Sequence, residues 1–202
     1  MILLICGGSI AAGFGVTKGY ADILKERYAS AGIEVINRSY YRHTSFDAID
    51  NFYEDIAPFR PDFLLLHFGI DDAYFPVYRS EFKENLVHIV RMARACCDPR
   101  ILLATSQIFD NPYDMDTVNI FYRTIREVAC DLLCEMIPVH TYWAGHLMNT
   151  GTSNSALVQS DMRYPNERGH TVIAGAVIQT LDHLLGITKI NQNVNRTESG
   201  CS

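Results

Sequence analysis

Ile2-Leu3-Leu4-Ile5-Cys6 is an apolar run that stops at Gly7-Gly8-Ser9-Ile10. Nothing in it alternates, so both faces of the segment favour burial, as in a strand inside a parallel sheet. Four more short runs follow, most of them continuously apolar: Glu34–Asn37, Phe63–Phe68, Ile101–Thr105 and Met136–Val139. Longer amphipathic stretches separate them. Tyr20–Ala31 stops at Gly32, a natural helix end. Phe46–Ala57 follows Ser45, a good N-cap. Ser80–Cys97 carries Phe82, Leu86, Ile89, Val90 and Ala93 at the helical period, and Asp116–Cys134 carries Ile120, Ile125, Val128 and Leu132. Glu167–Leu185 is nearly all apolar along one side. This alternation predicts an α/β fold: a three-layer α/β/α sandwich around a five-stranded parallel sheet of flavodoxin-like order. Residues 1–188 form the domain, and residues 189–202 form a polar C-terminal tail.

The chain has 202 residues, 48% hydrophobic and 20% charged, with a formal net charge of −6. That balance excludes a disordered or collagen-like chain. A chain this long buries about 70% of its unfolded surface, so one core suffices. The acidic charge and the absence of a basic run argue against nucleic acid as a partner. No apolar run approaches the roughly 20 residues that span a bilayer. The cysteines show no pairing logic, and Cys130 and Cys134 fall at the spacing of a helix core face. They read as buried reduced thiols. With no signal peptide visible after Met1, the expected location is the cytoplasm.

In such sheets ligands sit beyond the carboxyl ends of the strands. That rule selects Gly7–Gly15, Arg38–Ser45, Gly69–Tyr74 and Ser106–Tyr113, and Asn149–Tyr164 can reach the same edge. Ser9, after two glycines, is placed either to meet a ligand or to cap a tight turn. No Gly-x-Gly-x-x-Gly spacing or Gly-Lys-Ser/Thr follows, so neither a nucleotide nor another cofactor is expected. Asp71-Asp72 at the end of the third run could act as a base, ligate a metal or cap a turn. Three acids make a weak metal case, and no metal site is assigned. Asp161 precedes Tyr164-Pro165-Asn166, where Asn166 suits an N-cap and His170 falls in the first helical turn.

Together these blocks resemble the SGNH (GDSL-like) hydrolases over nearly the whole chain. The matching blocks are Gly7-Gly8-Ser9, Asn37 to Thr44, Gly69-Ile70-Asp71-Asp72, and Asp161 to His170. The resemblance implies serine acyl transfer. Ser9 attacks an ester carbonyl, a histidine takes its proton, and Asp161 orients the histidine. The oxyanion rests on the serine N–H, a block-two glycine N–H and a block-three asparagine amide. This sequence departs at several of these places. Tyr164 stands at the histidine position, and a phenol is a poor base at neutral pH. Asp71 stands at the asparagine position, where only a protonated carboxyl could donate. Ser39 and Arg42 replace the block-two glycines, and Gly8 replaces the first-block aspartate. Ser39 can still offer its N–H, whereas Arg42 would crowd the site. His43 and then His170 are the candidate substitutes for the base, while His67 reads as a core histidine. Ser9, Asp71 and Asp161 are expected to converge with Tyr164 beside Ser9, and Arg42 or Arg163 to neutralise the pole formed by Asp71, Asp72 and Asp161. The implied function is a divergent ester hydrolase with weak activity on small acyl esters or O-acetylated sugars. The alternative is a degenerate binding protein of the same fold. No oligomeric state follows.

Overall fold

Five parallel strands run through the computed structural model, which describes residues 1–75 and 77–187. In chain order come β1 (Ile2–Gly7), α1 (Tyr20–Ala29), β2 (Glu34–Asn37), α2 (Ser45–Asp50) and α3 (Phe52–Asp55). A 3₁₀ turn (Ala57–Phe59) leads to β3 (Phe63–His67), α4 (Ile70–Tyr74), α5 (Arg79–Cys96), β4 (Arg100–Ala104) and α6 (Pro112–Asp131). The chain continues through β5 (Glu135–Ile137), α7 (Val139–Thr150), a second 3₁₀ turn (Asn154–Ala156) and α8 (Glu167–Leu184). The strand order is β2-β1-β3-β4-β5, the flavodoxin-like order expected. One set of helices, α1, α7 and α8, packs together, and so does a second, α2, α5 and α6.

Burial explains the strand sequences. All five residues of β3 are buried, as are the last five of β1. The edge strand β2 alternates instead, with Val35 buried and Glu34 and Asn37 exposed. Leu4 lies opposite Ile36 on one side and Leu64 on the other, and Gly7 lies opposite His67. This register brings the segments after β1 and β3 out of the sheet at one level, which sets Ser9 beside Asp71.

Two expected helices differ, and one helix is unexpected. Phe46–Ala57 is broken at Asn51 (φ −95°, ψ 11°) into α2 and α3, and Pro58 sits in the 3₁₀ turn, where it cannot donate to an α-helical ladder. Thr44, not Ser45, is the N-cap of α2, because Ser45 is buried and bonded to Asp72. α6 starts at Pro112, earlier than expected, with Asn111 accepting from the Tyr113 N–H. It also ends earlier, at Asp131, and Leu133 takes φ +51°. Cys134 therefore lies past the helix and Cys130 is exposed; among the described cysteines only Cys6 is buried. α7 was not expected, because Thr141–Gly145 shows no clear period. It places Trp143 fully in the core, with Nε1 donating to Asn154 Oδ1 at 2.7 Å. Residues 189–202, expected as a tail, lie outside the described residues. Among the described residues no helix is long and apolar enough to cross a membrane.

Candidate active site

β1 delivers Ser9 to the carboxyl edge of the sheet, fully buried. Its N–H donates to Asp71 Oδ2 at 2.6 Å and its hydroxyl donates to Asp71 Oδ1 at 2.8 Å. The Arg42 N–H donates to Ser9 Oγ at 2.9 Å. The Tyr164 phenol interacts with the Ser9 side chain as well. Ser9 Oγ thus gives one bond to Asp71 and accepts one from Arg42.

Each partner has a local cause. Gly8 makes room for the carboxylate: a Cβ there would overlap Asp71 Oδ2 and lie 2.5 Å from the His43 carbonyl oxygen. Arg42 takes φ +65°, the left-handed conformation a glycine would adopt freely, and this aims its N–H at Ser9. Its side chain does not crowd the serine, as the sequence suggested. The guanidinium lies 4.5 Å from the Phe75 ring centroid and 5.7 Å from that of Tyr41. Tyr164 packs edge-on against Phe14, which stacks at 4.1 Å on the half-exposed Tyr41.

Burial pushes the Asp71 carboxyl up, against the two bonds from Ser9 and the positive charges of Arg163 and Arg42. Burial also pushes the Tyr164 phenol up, so at neutral pH it stays protonated. The expected cations act on Asp71 through their charge, with no ion pair to it among the described residues, and the three acids do not form one pole. Asp72 turns away: Ser45 N–H and Oγ donate to its Oδ1 and the Gly69 N–H donates to its Oδ2. Burial holds that carboxyl near a pKa of about 6. Gly69, at φ +119°, thus shapes the turn, and its N–H is not free for a ligand.

Four expected site residues stand elsewhere. Asp161 is exposed and accepts from the Arg163 and Tyr164 N–H groups, so it shapes the turn that carries Tyr164 rather than converging on Ser9. The Ser39 N–H donates to Asn37 Oδ1, and its buried hydroxyl has no partner among the described residues. The block-two N–H at Ser9 comes from Arg42 instead. His43 faces Gly8 through its backbone carbonyl, while its ring lies 4.6 Å from that of Tyr40. His170 is fully buried and accepts the Tyr20 N–H at Nδ1, so Nε2 carries the proton and has no partner among the described residues. Burial pushes its pKa down to about 4, which leaves it a neutral core group. His67 is likewise internal, bridging the Tyr20 hydroxyl and Ser106 Oγ.

Two clefts flank the cluster. One of about 400 Å³ lies beyond Phe75 and includes Thr44, Phe46 and Asn85. The other, of about 340 Å³, includes Arg163, Tyr74, Asp114 and Asp161, with the Arg163 guanidinium 3.9 Å from the Tyr74 ring centroid. Neither cleft was legible in the sequence, since Asp114 and Tyr74 carry no motif.

Residues 5–172 match the model of the GDSL-like lipase/acylhydrolase family. Among solved structures, Axe2, an acetylxylan esterase from Geobacillus stearothermophilus, superposes with a TM-score of 0.76 at 22% identity, covering 88% of this chain and 92% of that one. LAE5, an alpha/beta hydrolase from the metagenome of Lake Arreo, Spain, gives a TM-score of 0.76 at 20% identity, covering 88% and 93%. At these identities the likeness is one of fold. No curated protein matches the chain.

Proposed function

For a chain that belongs to the GDSL-like lipase/acylhydrolase family, we propose slow serine ester hydrolysis at Ser9, carried by residues 1–188. The substrate class is a small acyl ester or an O-acetylated sugar. The observation that supports this most is the Arg42 N–H at 2.9 Å from Ser9 Oγ. A backbone donor aimed at a nucleophile's oxygen lies within reach of the oxygen on the carbon it attacks, which is where an acyl-transfer oxyanion forms. Its left-handed arginine keeps the direction of a glycine N–H. The acetylated-sugar class draws on Axe2, described as an acetylxylan esterase. Its catalytic mutants change a serine, an aspartate and, three residues on, a histidine. Asp161 and Tyr164 have that same spacing, so Tyr164 stands at the third place, beside Ser9.

Turnover is slow for two reasons. The Ser9 N–H, a second oxyanion donor elsewhere in such sites, already serves Asp71. Losing one such donor costs on the order of 10²–10³ in rate. Ser9 also has no exposed surface, so an ester carbonyl must first displace the Tyr164 side chain or its aromatic neighbours. The same burial of Ser9 favours the second reading, a binding protein without turnover. Release of p-nitrophenol from p-nitrophenyl acetate, and of acetate from acetylated xylo-oligosaccharides, separates the two. Slow release that disappears in Ser9→Ala is expected. Equal rates in wild type and Ser9→Ala would leave the binding protein.

A further inference from the structure

We infer that Asp71 is the catalytic group that takes the proton of Ser9. The inference rests on Ser9 being the nucleophile. The Ser9 hydroxyl donates to Asp71 Oδ1 at 2.8 Å in a buried site, and the Ser9 N–H fixes the other carboxylate oxygen at 2.6 Å. Gly8 leaves the space that lets the carboxylate lie flat against the serine. The histidines offered by the sequence are turned away: His170 faces Tyr20 in the core, and the His43 ring lies on Tyr40. Burial holds the Tyr164 phenol protonated, so it is a poor group to take the proton.

As Ser9 Oγ bonds to the acyl carbon, the carbonyl π pair moves to oxygen and the serine proton passes to Asp71. The carboxylate that repelled an anion becomes a neutral acid whose O–H can donate to that oxyanion. The Arg42 N–H, which now holds Oγ, stabilises charge on the same side. When the tetrahedral carbon collapses, the C–O bond to the alcohol breaks and Asp71 returns its proton to the leaving oxygen. Water then attacks the acyl-serine, Asp71 takes its proton and passes it to Ser9 Oγ, and the free acid leaves. One residue thereby serves as base, acid and oxyanion donor. The charged and titratable groups facing it are Arg42, Arg163 and Tyr164, because Asp72 is turned to Ser45.

The family pattern and this inference predict opposite results for Asp71→Asn. An asparagine there supplies the amide donor of the ordinary oxyanion hole, so by the family pattern activity rises. If Asp71 takes the proton, activity falls about 10²-fold or more, the scale of a lost general base. The readouts are kcat/KM for p-nitrophenyl acetate, whose leaving group needs no proton, and the rate at which a fluorophosphonate probe labels Ser9. The wild-type labelling rate, followed from pH 3 to 9, gives a second measure independent of any variant. It should rise through one ionisation of carboxylate character, above the ordinary aspartate range. A rise at the histidine range instead, or an Asp71→Asn protein as reactive as wild type, overturns the inference and leaves Ser9 as nucleophile. Activity that survives Ser9→Ala, or a wild type that neither turns over nor labels, overturns the serine reading itself.

Discussion

Replacing Gly8 with alanine should destabilise the protein by about 3 kcal/mol, although the methyl is small and the position lies at a strand end. A Cβ at residue 8 would overlap the Asp71 carboxylate and lie 2.5 Å from the His43 carbonyl oxygen. The carbonyl is backbone and cannot swing away, so the carboxylate or the loop carrying His43 must shift. Overpacking of this kind costs about 1–3 kcal/mol. If the carboxylate moves, it weakens its bonds from the Ser9 N–H and hydroxyl, and a hydrogen bond to a charged group contributes about 1.5–3 kcal/mol. Against these stands a gain of about 0.4–1 kcal/mol, because alanine restricts the unfolded chain. For a chain of this length each kcal/mol lowers Tm by about 2–4 °C, so a drop of about 6–12 °C is expected. Urea unfolding of both proteins measures the free energy, and calorimetry measures the Tm. A Gly8→Ala protein within about 0.5 kcal/mol of wild type would refute the claim that Gly8 exists to seat Asp71.

Three further outcomes are expected. Tyr164→His should restore little activity alone, and Asp71→Asn should lower it, yet the double variant should exceed the product of the singles, because base and oxyanion donor act in one transition state. kcat/KM for the four proteins tests this, and multiplicative effects would refute it. Arg42→Gly should be more stable than Arg42→Ala by about 1 kcal/mol in urea unfolding, since φ +65° is unstrained only for glycine; equal stability would contradict the strain at that residue. His170, pushed down to about 4 from an ordinary value near 6.5, stays neutral in the folded chain while the unfolded chain binds its proton. Its contribution is therefore complete above about pH 6.5 and is lost as pH falls towards about 4, a loss of about 3 kcal/mol. His170→Gln should flatten the fall in stability across that window, and unchanged pH curves would contradict the buried neutral imidazole.

The strands and their order were legible because burial on both faces leaves a continuous apolar signature, as in Ile2–Cys6 and Phe63–Phe68. α7 was not, because Trp143 and Val139 are its only buried residues, too few to write a period. Block order placed Ser9, Asp71 and Asp161 together with Tyr164 close by; Asp71 meets Ser9 with Tyr164 beside it, whereas Asp161 stays in the turn that carries Tyr164. What the sequence could not disclose is direction. Nothing in Gly69-Ile70-Asp71-Asp72 says that one carboxylate faces Ser9 and its neighbour faces Ser45. Arg42 was read by its long side chain, yet its contribution is a backbone N–H set by a dihedral angle. His170 was read by its place in the first helical turn, whereas the helix rolls that position against Tyr20.

The partners of Ser9 come from far along the chain, 33 residues away for Arg42 and 62 for Asp71, while Tyr164 arrives on the turn before the last helix. No local stretch can assemble this cluster, and loops of such length close late in folding. During refolding, the serine hydroxyl acquires its full set of partners only after β3 has paired with β1 and α8 has settled against α1. Its environment is therefore a clock for the final docking of the C-terminal half, readable at a single oxygen.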